Sequence, residues 1–333
     1  MGAVQGGRLK SWFDPYVVAL LATVGLASVV PCRGAIAGTL DHVADGAIAL
    51  LFFLYGGRLA RDVIVRGMKQ WRVQLVVFLS TFVLFPLLGV AVRAALGRFV
   101  SAPLLAGIVF LTLLPSTVQS SIAFTSIARG NIPAAICSAT VSNLAGVVLT
   151  PVLVALVLEA GGTSTTSIDS VWKIVFLLLA PFAVGHALRP LTAAWHERNR
   201  HWLGYVDRGS ILLVVYIAFS AGVVDGTWSR VPLSSLAALI AISGVLLAMV
   251  LAITTYASRR LGFAKEDEIV VVFCGSKKSL ASGLPMAKIL FAGPAVGLVV
   301  LPLMIFHQLQ LMVCAVLARR YARSEKNRSG EHP

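Results

Sequence analysis

Apolar runs follow one another along nearly the whole chain, separated by short polar stretches rich in arginine and lysine. Ten membrane spans can be drawn, at 15–31, 43–57, 73–95, 103–127, 132–158, 170–188, 208–225, 232–257, 268–291 and 293–317. Most come near the ~20 residues that an α-helix needs to cross the hydrocarbon core. The second is short, and the fourth and ninth are rich in polar and small residues. With no water in the bilayer core, backbone groups must be satisfied within each segment, so the pattern predicts an all-α membrane protein.

The basic residues test this count. One set of alternate loops holds Arg8 and Lys10, then Arg58, Arg61, Arg66, Lys69 and Arg72, then Arg129. It continues through Arg189, Arg198, Arg200 and Arg208, then Arg259, Arg260 and Lys265, and ends in Arg319, Arg320, Arg323, Lys326 and Arg328. The other set holds Arg33, Arg98 and Arg230, with Arg93 and Lys288 close by. Positive charge stays inside, so both termini are expected in the cytoplasm and the chain in the cell (inner) membrane, multi-pass. Ten spans divide into two sets of five. The first set starts inside and the second outside, so the halves are inverted, as in many secondary transporters. The expected repeats are 1–158 and 170–317, joined through the external linker 159–169 and followed by a basic cytoplasmic tail, 318–333.

Composition agrees. The chain is 58% hydrophobic and 13% charged, with mean hydropathy +0.87; a soluble domain carries roughly 25% charged residues. The net charge of +14 suggests nucleic acid in a soluble protein, but here the charges lie in orienting loops, and nucleic acid is excluded as a partner. The four cysteines form no CxxC, and neither a disulfide framework nor a metal site is indicated. The apolar run behind Arg8 and Lys10 lacks a small-x-small cleavage site and reads as the first span. No HExxH, nucleophile–base set or intramembrane carboxylate pair is present, so the chain is not read as an enzyme.

The fourth and ninth spans carry the chemistry. Residues 114–133 read "LPSTVQSSIAFTSIARGNIP" and residues 274–294 "CGSKKSLASGLPMAKILFAGP". Each has a helix breaker, then hydroxyl and small residues, then a short apolar half-helix. Pro115 lacks a backbone donor and Gly275 is a poor helix former. Interrupted helices at matching positions of two halves point to a binding site at the membrane midplane. Lys277 and Lys278 lie within the second break. An intramembrane charge costs at least a few kcal/mol, and no acidic side chain lies between residues 269 and 287. Their partners must come from another helix, a substrate or water. Span five adds Ser138, Ser142 and Asn143, the two serines sharing one helix face. Span ten adds His307, Gln308 and Gln310 amid apolar neighbours.

"FLYGGRL" after span two, "LPSTVQSSIAFTSIARGN" and "FCGSKKSLASGLPMA" together resemble the bile acid:sodium symporter family, on the branch that includes bacterial sodium-dependent transporters and human solute carrier family 10 member 7. The resemblance covers nearly the whole chain. It implies ten helices in two inverted five-helix repeats. Broken helices four and nine cross in a core domain, beside a four-helix panel of spans one, two, six and seven. It also implies a substrate-binding set of Ser120, Ser121, Lys278, His307 and Gln308. The implied ion-site region is Gln119, Ser138, Ser142, Asn143, Ser276 and Lys277. Sodium-coupled members carry a Glu-x-x-x-Gln segment in span nine; here Phe273 and Lys277 stand at those positions, and Thr81 replaces a glutamine of span three.

The function expected from these residues is secondary active transport of a small organic solute, anionic by the charge of the lysines and of helix N-termini. No cofactor is expected. The coupling ion is left open between Na+, H+ and neither, with one ammonium standing where sodium sits in relatives as a further reading. The alternative is a non-transporting membrane regulator of other membrane proteins, with the basic segment 58–72 contacting anionic lipid or a partner.

Overall fold

The structure is a computed structural model; it describes residues 15–58, 70–159, 179–226, 228, 231–291 and 295–328. These form helices and connecting turns, with no strand among them. In chain order they are α1 (Pro15–Val29), α2 (Gly34–Arg58), α3 (Trp71–Leu96), α4 (Ala102–Leu113), α5 (Gln119–Ile127) and α6 (Ile132–Leu158). A helical stretch at 179–187 precedes α7 (Arg189–Arg198), α8 (Arg200–Val224), α9 (Leu233–Arg260), α10 (Lys265–Gly275), α11 (Leu280–Leu290) and α12 (Ala295–Arg328). Six described helices are long and apolar enough to cross a bilayer: Gly34–Gly57, Trp71–Leu96, Ile132–Leu158, His201–Val224, Leu233–Arg260 and Val296–Ser324. All but the first residue of the external linker 159–169, most of the basic segment 58–72, the first half of the sixth span and the end of the tail lie outside the described residues.

Two boundaries differ from the pattern reading. The second span is expected from residue 43, but α2 begins at Gly34. Asp41 and Asp45 break its hydropathy, yet both sit beside Lys288 of α11, at 3.2 and 2.6 Å. The region 188–208, expected as a loop, is helical. Pro190 sits at the start of α7, where proline is tolerated because its missing N–H has no partner to lose.

Helices α1, α2, α7 and α8 pack on one another, and α3 to α6 interleave with α9 to α12. Lipid is as apolar as leucine, so such packing rests on close approach and polar contact more than on hydrophobicity. The tight contact of α4 with α12 shows this. Gly107 of α4 lies so close to α12 that a Cβ there would strike the Val299 backbone carbonyl.

Candidate functional site: two broken helices that cap each other

Helix α4 stops at Leu113, and the chain runs extended through Pro115 before α5 starts at Gln119. Helix α10 stops at Gly275, and α11 starts at Leu280. A helix end leaves its last carbonyls without partners, and burying them unpaired is costly. The two breaks meet, and the carbonyls at each are bonded from neighbouring elements.

On the α4 side, the Lys278 ammonium donates to Thr112 O (2.8 Å) and Leu114 O (2.7 Å). Thr150 Oγ1 donates to Leu113 O (2.9 Å), and the Ser279 N–H to Pro115 O (2.9 Å). On the α10 side, Ser121 Oγ donates to Phe273 O (3.3 Å), Ser116 Oγ to Cys274 O (2.6 Å) and Ser80 Oγ to Gly275 O (2.8 Å). Ser116 of the first break, with Ser121 of α5 and Ser80 of α3, thus caps the helix before the second break with hydroxyls, and the second break caps the helix before the first with an ammonium. A cation at a helix C-terminus is favoured by the helix dipole.

The third acceptor of Lys278 Nζ is Thr81 O, at 2.9 Å. This carbonyl is free for a local reason. Residues Ser80–Leu84 form a π-turn inside α3, in which the Phe85 N–H bonds to Ser80 O. In a regular α-helix the Phe85 N–H would bond Thr81 O; in a continued π-turn the donor would be residue 86, which is proline. Three converging carbonyls thus take the three N–H donors of one ammonium, which also lies 4.1 Å from the centroid of Phe85.

Lys277 is equally buried. Its ammonium donates to Ser120 O (2.9 Å) and lies over the rings of Phe124 (3.8 Å) and Phe273 (5.5 Å). The partners left open by the sequence are therefore backbone carbonyls and ring faces of other elements.

Gln310 pins the second break to α12. Its Oε1 accepts from the Lys278 N–H (2.9 Å), and its Nε2 donates to Lys278 O (3.0 Å) and to His307 Nδ1 (2.9 Å). The amide nitrogen can only donate, so Nδ1 accepts and the neutral imidazole carries its proton on Nε2. Close approach is also required at Gly146 of α6, where a Cβ would stand 2.5 Å from Pro115 Cβ.

The expected residues separate by position. Ser121 and Ser276 are buried and committed, the latter to Val272 O (2.6 Å). The Ser142 hydroxyl accepts from the Ser116 N–H (3.0 Å), and Asn143 Oδ1 accepts from Ser282 Oγ (2.7 Å). The hydroxyls of Ser120 and Ser138 are buried without a hydrogen-bond partner among the described residues. Gln119 is exposed at the first turn of α5, Gln308 is partly exposed, and His307 is buried beside Gln310. Lys278 is fully buried, and its three ammonium donors go to carbonyls. Sequence reasoning put Gln308 in the substrate set and named Gln310 only as a polar neighbour of His307. It gave no role to Ser80, Ser116, Thr112 and Leu114, two of which act through backbone atoms that the residue letter does not reveal.

Broken helices whose ends meet inside a multi-span bundle are characteristic of membrane transport proteins. A family model described as the SBF-like CPA transporter family matches residues 14–323, and the chain belongs to that family, whose members are transporters and not enzymes. It is 58% identical over 310 residues to "Uncharacterized protein PA2026" of Pseudomonas aeruginosa, with 93% of each chain covered. It is 51% identical over 316 residues to "Putative symporter YfeH" of Escherichia coli, with 95% of each covered. It is 28% identical over 322 residues to mouse "Sodium/bile acid cotransporter 7", with 92% of this chain and 91% of that one covered. The chain is thus a multi-pass membrane protein of a transporter family.

Proposed function

We propose that this protein is a secondary transporter of an organic anion, working by alternating access, with a side-chain ammonium in place of a sodium ion at its crossing. One observation carries the reading: Thr81 O, Thr112 O and Leu114 O surround Lys278 Nζ at 2.7 to 2.9 Å. Three such oxygens form a cage suited to a small monovalent cation, and the lysine fills it. Phe273, where the resemblance puts a carboxylate, is buried against Phe124 and Tyr321. It offers an ion no ligand.

The solute is assigned to the first turn of α5, where Gln119 is exposed, the Ser120 hydroxyl has no partner among the described residues and the cap residue Val118 supplies no side-chain bond. Free N–H groups and the positive end of the dipole favour an anion there, and the lysines add to that field. The order of a long helix, a broken helix and a long helix occurs twice, in α3 to α6 and in α9 to α12. That order supports the ten-span inverted repeat and a core that moves against α1, α2, α7 and α8. The basic loops support cytoplasmic termini for a chain in the inner membrane.

Purified protein in sealed vesicles tests this. Labelled anions should enter vesicles clamped at zero potential, down their own gradient, at equal rates in sodium and choline buffers. Uptake that rises steeply with an imposed sodium gradient would overturn the sodium-free reading.

A further inference from the structure

Helices α9 and α12 enclose a groove of about 790 Å³ at their basic ends, away from the crossing. At 100° per residue, His307, Gln310 and Cys314 share one face of α12, and Met312 and Val316 share the opposite face. The groove is therefore separate from the broken helices. Its walls are Leu251 and Thr255 on α9 and Met312, Val313 and Val316 on α12. The last three are 53%, 41% and 46% exposed on a candidate membrane span, so apolar side chains here face outward.

The two walls end alike. From Leu251 to Arg259, and from Met312 to Arg320, the run is about 12 Å at 1.5 Å per residue. Both arginines line the same end of the groove, and among the described residues no acidic side chain lines it. The Arg259 side chain is 64% exposed, and its contacts with Glu268 are long, at 3.4 and 3.5 Å. Glu268 is already engaged by Lys265 at 2.6 Å and by the Tyr321 hydroxyl at 2.9 Å. Tyr256, beside the groove, carries Arg260 over its ring at 5.1 Å, adding a third guanidinium nearby.

An apolar slot one acyl segment long, ending in paired guanidiniums, fits one kind of occupant. We propose that the groove binds an anionic phospholipid, its acyl chain against Met312 and Val316 and its phosphate at Arg259 and Arg320. Basic pockets between spans select such headgroups, and guanidinium matches phosphate in two-pronged geometry. A choline lipid brings a cation of its own that the arginines repel.

The test is independent of transport. The full chain is melted in detergent supplemented with phosphatidylglycerol or with phosphatidylcholine. Phosphatidylglycerol should raise the midpoint by several degrees more, and the difference should shrink as salt rises. R320Q, on an exposed side chain, should remove the difference while leaving the midpoint in phosphatidylcholine unchanged. V316W, which fills the slot without altering charge, should remove it too. Equal stabilisation by both lipids, survival of the difference in R259Q/R320Q, or the same gain from free glycerol phosphate would each overturn the proposal.

Discussion

The Lys278 ammonium lies 2.7 Å from the carbonyl oxygen of Leu114, the residue just before Pro115. One break in the chain is thereby closed by a side chain from the other. Lys278→Ala would leave three buried carbonyls without a donor, each costing about 1–3 kcal/mol. A marked fall in the unfolding midpoint in detergent is expected. The emptied cage should then accept a free cation, so sodium or potassium chloride should stabilise the variant over choline chloride and leave the parent unaffected. A variant melting like the parent and indifferent to the cation would contradict the cage.

Gln308 and Gln310 should separate in experiment. Gln310 is fully buried and exchanges two hydrogen bonds with the Lys278 backbone. Gln310→Ala should lower stability by about 2 kcal/mol or more. Gln308→Ala, on a partly exposed side chain, should keep the midpoint and change solute affinity. Melting curves and concentration-dependent uptake, measured on both variants, decide; a reversed pattern would reverse the assignment.

Lys288 joins α11 to α2 through Asp41 and Asp45, whose side chains are 54% and 62% exposed. Such pairs contribute about 1 kcal/mol or less. Lys288→Gln should therefore barely move the midpoint. If α2 and α11 separate during transport, as the proposed cycle requires, a disulfide between D45C and K288C should stop uptake, and reductant should restore it. Full activity of the cross-linked protein would exclude movement at this contact.

Gly146 sits where a Cβ would strike the Pro115 ring. Gly146→Val should push the break away from α6 and destabilise by about 1–3 kcal/mol. Circular dichroism should still report a helical protein, with a lower melting temperature than Gly146→Ala. Equal melting of both variants and the parent would mean that the break tolerates displacement.

Both breaks were legible from the sequence, because Pro115 and Gly275 write a lost donor and a weak helix former into the letters. The hydroxyls following them were legible as polar groups needing partners. Their partners were not, since Thr112, Leu114 and Thr81 act through carbonyls that every residue possesses. The π-turn at Ser80–Leu84 left only Pro86 as a trace. The early start of α2 was hidden for a related reason: Asp41 and Asp45 look like loop residues until Lys288, far along the chain, is placed beside them.

A co-transported sodium ion leaves its site on every cycle; an ammonium on a side chain cannot. In the proposed cycle the only net charge delivered across the bilayer is the solute's own. An interior-negative membrane then opposes entry of a monovalent anion by about 2.3 kcal/mol per 100 mV and favours its exit by the same amount. A carrier built around Lys278 would thus run electrogenically, its favoured direction set by voltage and solute gradient, toward export when the solute is more concentrated inside. Currents across a planar bilayer would register one elementary charge per monovalent solute moved; a current carrying the opposite sign would show that cations travel too.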